Sequence, residues 1–153
     1  MNTTAPPEPK PVPVTDHTSR PFWDACREHR LVVQRCNNCR RWRWTPSPVC
    51  PGCQSWSAEW EQVPGTGRVA SFVVLHRAFH AAFTGDVPYV VAHVRLDGCD
   101  NRAVMISNLV DCPVEVVSVD MEVEVLFEDR DEVTVPLFRP SRTGQSHRGE
   151  GPQ

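Results

Sequence analysis

Much of this 153-residue chain's reading comes from what it lacks. No apolar run approaches the ~20 residues that a membrane-spanning helix needs, and no signal-peptide core is visible. The expectation is a soluble, cytoplasmic protein with no membrane partner. Nucleophile elbow, phosphate-cradling glycine loop and HExxH helix are all missing. The acids Glu122, Glu124, Glu128 and Asp129 fit an exposed strand face and turn, not a general acid/base pair. No catalytic residue is assigned, and the role is read as non-catalytic. Lysine is nearly absent, Lys10 being the only one. Cysteine comes in an odd number, seven, which argues against a secreted disulfide framework.

What is present is organised around Cys36-Asn37-Asn38-Cys39 and Cys50-Pro51-Gly52-Cys53. Two CxxC pairs at this separation read as facing zinc knuckles. The short inner spacing lets two thiolates of one tight turn reach one ion, and the second pair completes the tetrahedron zinc prefers. The ten-residue insert, 40–49, is long enough for one short strand and a return. Redox cysteines or two disulfides are the blander reading. An all-thiolate closed site leaves no open coordination position, so the expected cofactor is one structural zinc ion held by Cys36, Cys39, Cys50 and Cys53. Such an ion contributes on the order of 10 to 16 kcal/mol in small modules, comparable to the ~5 to 15 kcal/mol stability of a whole domain. The remaining Cys26, Cys99 and Cys112 read as small buried hydrophobes.

Residues 1–17 are proline-rich and without period, so they read as a disordered tail, and residues 141–153 have the same character. Ser19 is placed to cap a short helix with Pro21 in its first turn, Phe22, Ala25 and Cys26 on one face, and His29 and Arg30 at its end. Residues 31–35 read as a strand entering the first knuckle, and Trp42 and Trp44 alternate on the return. Trp56 and Trp60 follow the second knuckle. So small a module has too few side chains for a normal core, and large indoles are one compensation. Helix and ribbon together span 18–63. Gly65-Thr66-Gly67 marks the boundary, and residues 64–140 are purely β in pattern. Strands are expected at 68–75, 89–96, 102–108, 121–127 and 133–138, with an irregular stretch at 111–117 and a hairpin turn at Asp129-Arg130-Asp131. Five short strands with a break between the third and fourth suit an OB-type barrel, with a small sandwich as the alternative. The fold class is therefore mainly β: an N-terminal helix and zinc ribbon, then a five-stranded OB-fold barrel.

Laid out in this order, the chain resembles a family that pairs a rubredoxin-like zinc ribbon with an OB-fold, the domain of unknown function 35. The resemblance covers roughly residues 20–140 and rests on these stretches: Pro21-Phe22-Trp23, Gln34-Arg35-Cys36 with Cys39, Val49-Cys50-Pro51-Gly52-Cys53, Val87-Pro88-Tyr89-Val90-Val91-Ala92, Ser107-Asn108-Leu109-Val110, and Pro136-Leu137-Phe138-Arg139-Pro140. One departure stands out. Family knuckles often carry glycine just after the second cysteine, where positive φ is easy; here those positions hold Arg40 and Gln54. The resemblance implies an accessory subunit of an acyl-CoA-processing complex. Its partner would be a thiolase-like enzyme (a thiolase, acyltransferase or retro-aldolase of lipid or steroid side-chain breakdown) or a hot-dog hydratase. The partner would carry the chemistry while the small subunit helps accommodate the acyl-CoA.

Charge sharpens the candidates. Residues 20–63 carry seven arginines against four acids, +3, whereas residues 64–140 carry six arginines against twelve acids, −6. Arg35, Arg40, Arg41 and Arg43 interleave with Trp42 and Trp44. This cluster could offset the −2 charge of a four-thiolate zinc site, grip CoA phosphates or a partner, or hold single-stranded nucleic acid with indoles stacking on bases. A barrel with twice as many acids as bases argues against the last reading, which stays as the alternative: a stand-alone nucleic-acid-binding module. A free-standing enzyme is a third class. His76 and His80 read as loop or interface residues, and His93 as a packed or surface position. The apolar loop carrying Phe79 and Phe83 either tucks over the barrel end or forms an interface, and interface is the expectation.

Overall fold

The computed structural model describes residues 8–142. It opens with an extended segment, residues 8–16, that forms no regular element. Of the two expected tails, residues 1–7 and 143–153 lie outside the described residues. The extended segment is nevertheless held: Lys10 pairs with Asp86 at 2.7 Å and lies 5.3 Å from the ring centre of Phe83.

Helix α1, Arg20–Arg27, buries Phe22, Ala25 and Cys26, the face that the i, i+3, i+4 spacing picks out. Ser19 occupies the N-cap position but does not cap: its hydroxyl and its N–H both donate to Asp16 Oδ1 instead. The helix ends where His29 turns to φ 54°, with the His29 N–H donating to Cys26 O and the Arg30 N–H to Ala25 O. This is the crossed pair of bonds that satisfies the last carbonyls of a helix.

The ribbon is a three-stranded antiparallel sheet, β1 (Val32–Cys36) between β2 (Trp42–Arg43) and β3 (Ala58–Gln62). The third strand is a feature the sequence reading left out. Its residues alternate: Glu59 and Glu61 face one side, with Trp60 on the other.

The barrel has the order β4 (Thr66–Leu75), β5 (Tyr89–Leu96), β6 (Val104–Leu109), β8 (Val133–Pro140), β7 (Glu122–Arg130), and β7 returns to pair with β4. All neighbours are antiparallel except β6 and β8, which run parallel, Leu109 opposite Phe138. Five strands closed in this way form the OB-type barrel, and the sandwich alternative is excluded. The last hairpin turns later than expected. Asp129 pairs with Thr134 and Arg130 with Val133, so the turn is Asp131-Glu132. Asp131 there takes φ 49°, a left-handed conformation that aspartate tolerates. Val69, Val94, Val123 and Phe138 fill the barrel interior, and their cluster continues through Val63 to Leu31, Val33 and Phe22 of the ribbon and helix. No described helix is long and apolar enough to cross a membrane.

Candidate metal centre and arginine cluster

Both knuckles are built alike. The Cys36 N–H donates to Arg41 O and the Arg40 N–H to Cys36 O; the Cys50 N–H donates to Ser55 O and the Gln54 N–H to Cys50 O. Each loop must turn left-handed just after its second cysteine, and Arg40 (φ 58°) and Gln54 (φ 59°) do so without glycine. The departure from the glycine pattern therefore changes the residue and keeps the backbone.

The turns bring four sulfurs together. Cys36 Sγ lies 3.6 Å from Cys53 Sγ, and Cys39 Sγ lies 3.6 Å from Cys50 Sγ. All four ligand atoms fall within 4.8 Å of one another. A tetrahedron with zinc–sulfur bonds of ~2.3 Å has edges of ~3.8 Å, whereas a disulfide would need ~2.05 Å. The four residues thus fit a tetrahedral ion and not a pair of disulfides. Backbone amides prepare thiolates: the Cys39 N–H, opposed by burial and helped by the Asn38 N–H, draws the Cys36 thiol down to about 6. The Gly52 N–H does the same for Cys50. Cys39 receives the Arg41 N–H, but burial and its sulfur neighbours together hold it up at about 11. Such mutual opposition among crowded sulfurs is what a bound cation relieves. The other cysteines behave as buried thiols: burial pushes Cys26 up to about 12 and Cys99 to about 11, and raises Cys112 as well.

The arginine cluster divides in two. Arg35 lies 4.6 Å over the ring of Trp42, donates through Nε to Arg40 O, and pairs with Glu61 at 2.9 Å. Arg40 bridges Glu59 and Glu61. Burial pushes the Glu61 carboxyl up, but Arg35 and Arg40 outweigh it and hold the group below its ordinary range. These two arginines thus have carboxylate partners on β3. Arg41 and Arg43 do not share them. Arg41 packs its guanidinium over Gly52, where an added Cβ would come within 2.8 Å of Nε. Arg43 is buried. Trp42 is buried too, and Trp44 is half-buried against Phe22, ring centres 4.9 Å apart.

Two family models match consecutive stretches of the chain: the rubredoxin-like zinc ribbon domain of ChsH2 over residues 23–61, and its C-terminal OB-fold domain over residues 60–128. A DUF35 domain-containing scaffold protein of Methanocaldococcus jannaschii is 32% identical over 119 residues, 72% of this chain and 81% of that protein. The chain belongs to the DUF35 family. Among solved DUF35 structures, a chain from an Ltp2–ChsH2(DUF35) aldolase superposes with a TM-score of 0.75 at 34% identity, covering 84% of this chain and 98% of that one. A DUF35-family protein of unknown function from Sulfolobus solfataricus, 12% identical, shares the fold with a TM-score of 0.59 over 83% of this chain and 87% of its own. A probable enoyl-CoA hydratase alpha subunit of Thermomonospora curvata is 35% identical over 133 residues, 86% of this chain. The chain spans only 40% of that longer protein.

Within this DUF35 chain the apolar loop also divides. Phe83 packs against Tyr89, ring centres 5.6 Å apart, and under Lys10, while Phe79 is 82% exposed. His80 accepts the Ala82 N–H through Nδ1 and so caps the 3-10 turn Ala81–Phe83. The outer face of β4–β5–β6 adds Val73 (58% exposed) and Ile106 (65% exposed), set across from Val91 and His93. The sequence reading singled out neither valine nor isoleucine, because apolar residues in a strand look alike whichever face they take. The strand register supplies the missing signal.

Proposed function

We propose that this chain is a non-catalytic accessory subunit, cytoplasmic, of an acyl-CoA-processing complex, paired with a thiolase-like enzyme and helping it accommodate the thioester. The carrying observation is the likeness to the DUF35 chain of the Ltp2–ChsH2 aldolase, nearly all of which this chain matches at 34% identity. One zinc ion, held by Cys36, Cys39, Cys50 and Cys53, would keep the ribbon folded; with four thiolates it has no open position for substrate. Phe79, Val73 and Ile106 are the residues through which the barrel would meet the partner. Each is exposed, and exposed aromatic and aliphatic side chains together are the composition of an interface centre. Phe83, half-buried, would support that loop from beneath.

The test is affinity capture of the tagged chain from its native host, followed by co-expression with the thiolase-like protein recovered. Phe79→Asp should weaken co-purification about tenfold or more, as loss of an interface anchor does, with an unchanged melting temperature. Equal recovery with Phe79→Asp would remove the patch from the interface. Capture that never brings down a thioester enzyme would remove the assignment itself.

A further inference from the structure

Arg43 is 3% exposed, and none of Nε, Nη1 or Nη2 has a hydrogen-bond partner. Among the described residues no other buried side chain is left with an unpaired polar atom. Guanidinium keeps its charge at every relevant pH, so it cannot avoid the cost of burial by losing a proton. A buried charge is retained when something pairs with it. Nothing among the described residues does.

Arg43 lines a cavity of about 390 Å³ where the ribbon meets the β5–β6 turn. Arg41 lines it from the ribbon and Arg102 from the barrel, and no aspartate or glutamate reaches it. Asn101 and Thr45 add neutral hydrogen-bonding side chains, and Trp42 and Trp44 form an aromatic wall. Gly52 leaves room for the Arg41 guanidinium to lie flat on the second knuckle. Three cations without a counter-charge need more than one carboxylate. Their forked donors match phosphoryl oxygens.

We propose that this cavity binds a phosphoryl group of two or more negative charges, with Arg43, Arg41 and Arg102 as its ligands. The flanking indoles suit a phosphate borne on a planar base. The natural source, the nucleotide end of a CoA thioester, rests on the function proposed above; the site itself does not.

The zinc-loaded full chain is titrated calorimetrically with pyrophosphate, adenosine 3′,5′-bisphosphate, CoA and an acyl-pantetheine lacking the nucleotide. Saturable one-to-one binding of the first three, weakened by added salt, and none of the fourth is expected. Binding of the bisphosphate and CoA well above pyrophosphate assigns a nucleotide ligand; equal binding assigns a free polyphosphate. Arg43→Met and Arg102→Gln should each weaken binding about tenfold, the value of one charge-assisted bond, while Arg35→Gln, whose parent already has Glu61, should not. Arg43→Met should also melt higher than the parent in phosphate-free buffer. Arg102 is exposed and its variant reports even if Arg43→Met fails to fold. No saturable binding of any phosphoryl probe, or undiminished binding in both variants, overturns the site. So does a pattern in which Arg43 variants lose only the partner protein, since the cavity then takes an acidic side chain. Anion binding by a chain whose capture from the native host never recovers a thioester enzyme would overturn the proposed function and leave the site standing.

Discussion

The ribbon and the barrel answer the same problem differently. In the barrel every strand has two neighbours, the ladder closes on itself, and Val69, Val94, Val123 and Phe138 fill the interior. In the ribbon, β2 is two residues long, the sheet has open edges, and the tip beyond it is a ring of sulfurs. Short strands cannot bury enough apolar surface, and a metal cross-link takes over. Charges differ in the same way. Three barrel arginines pair with acids: Arg68 with Glu122 and Arg139 with Glu124 on the adjacent strand, and Arg95 with Asp120 in the turn before β7. The ribbon ties Arg35 and Arg40 to β3 yet leaves Arg43 buried and alone. The barrel keeps an excess of six acids yet pairs these arginines on its own surface, whereas among the described residues only the ribbon buries a charge without a partner.

That contrast can be broken. Replacing Cys50 with Ser, or stripping the ion with a chelator, should have the largest effect and confine it: amide resonances of β1–β3 collapse while those of β4–β8 persist. Joint collapse would mean that the continuous cluster through Val63 makes one cooperative unit. Phe138→Ala is the reciprocal experiment. It empties the barrel centre at a cost of about 3 to 5 kcal/mol, read by denaturant unfolding, and the loss should be the same with and without bound zinc in the ribbon. The smallest effects separate two glycines. A Cβ on Gly67 would sit 2.5 Å from the Arg95 carbonyl oxygen, fixed backbone in the next strand, so Gly67→Ala should cost about 1 to 3 kcal/mol. A Cβ on Gly52 meets the movable end of Arg41, so Gly52→Ala should stay within about 0.5 kcal/mol. Equal losses in the two melting curves would erase the distinction between rigid and adaptable neighbours.

Much of this was legible beforehand because it depends on local spacing. The CxxC pairs specify a quartet of sulfurs, and the i, i+3, i+4 pattern of Phe22, Ala25 and Cys26 specifies the buried face of α1. Strand β3 carries a plain alternation, Ala58-Glu59-Trp60-Glu61-Gln62, but five residues between two loops give a weak signal beside three nearby indoles. The final hairpin shifted because cross-strand pairing of Asp129 with Thr134 outweighs the turn preference of Asp129-Arg130-Asp131. The arginine cavity was only half visible. Arg41 and Arg43 lie in the knuckle segment, but Arg102 arrives from the β5–β6 turn, and no local pattern encodes which turn folds against which ribbon.

The distribution of indoles has an optical consequence. Trp23, Trp42, Trp44, Trp56 and Trp60 all precede the barrel, whose only phenol is Tyr89. Light absorbed at the red edge of the aromatic band therefore excites the metal-binding half alone, and the barrel stays dark. Occupancy of the sulfur ring, or a ligand arriving beside Trp42 and Trp44, would register as emission without any dye attached.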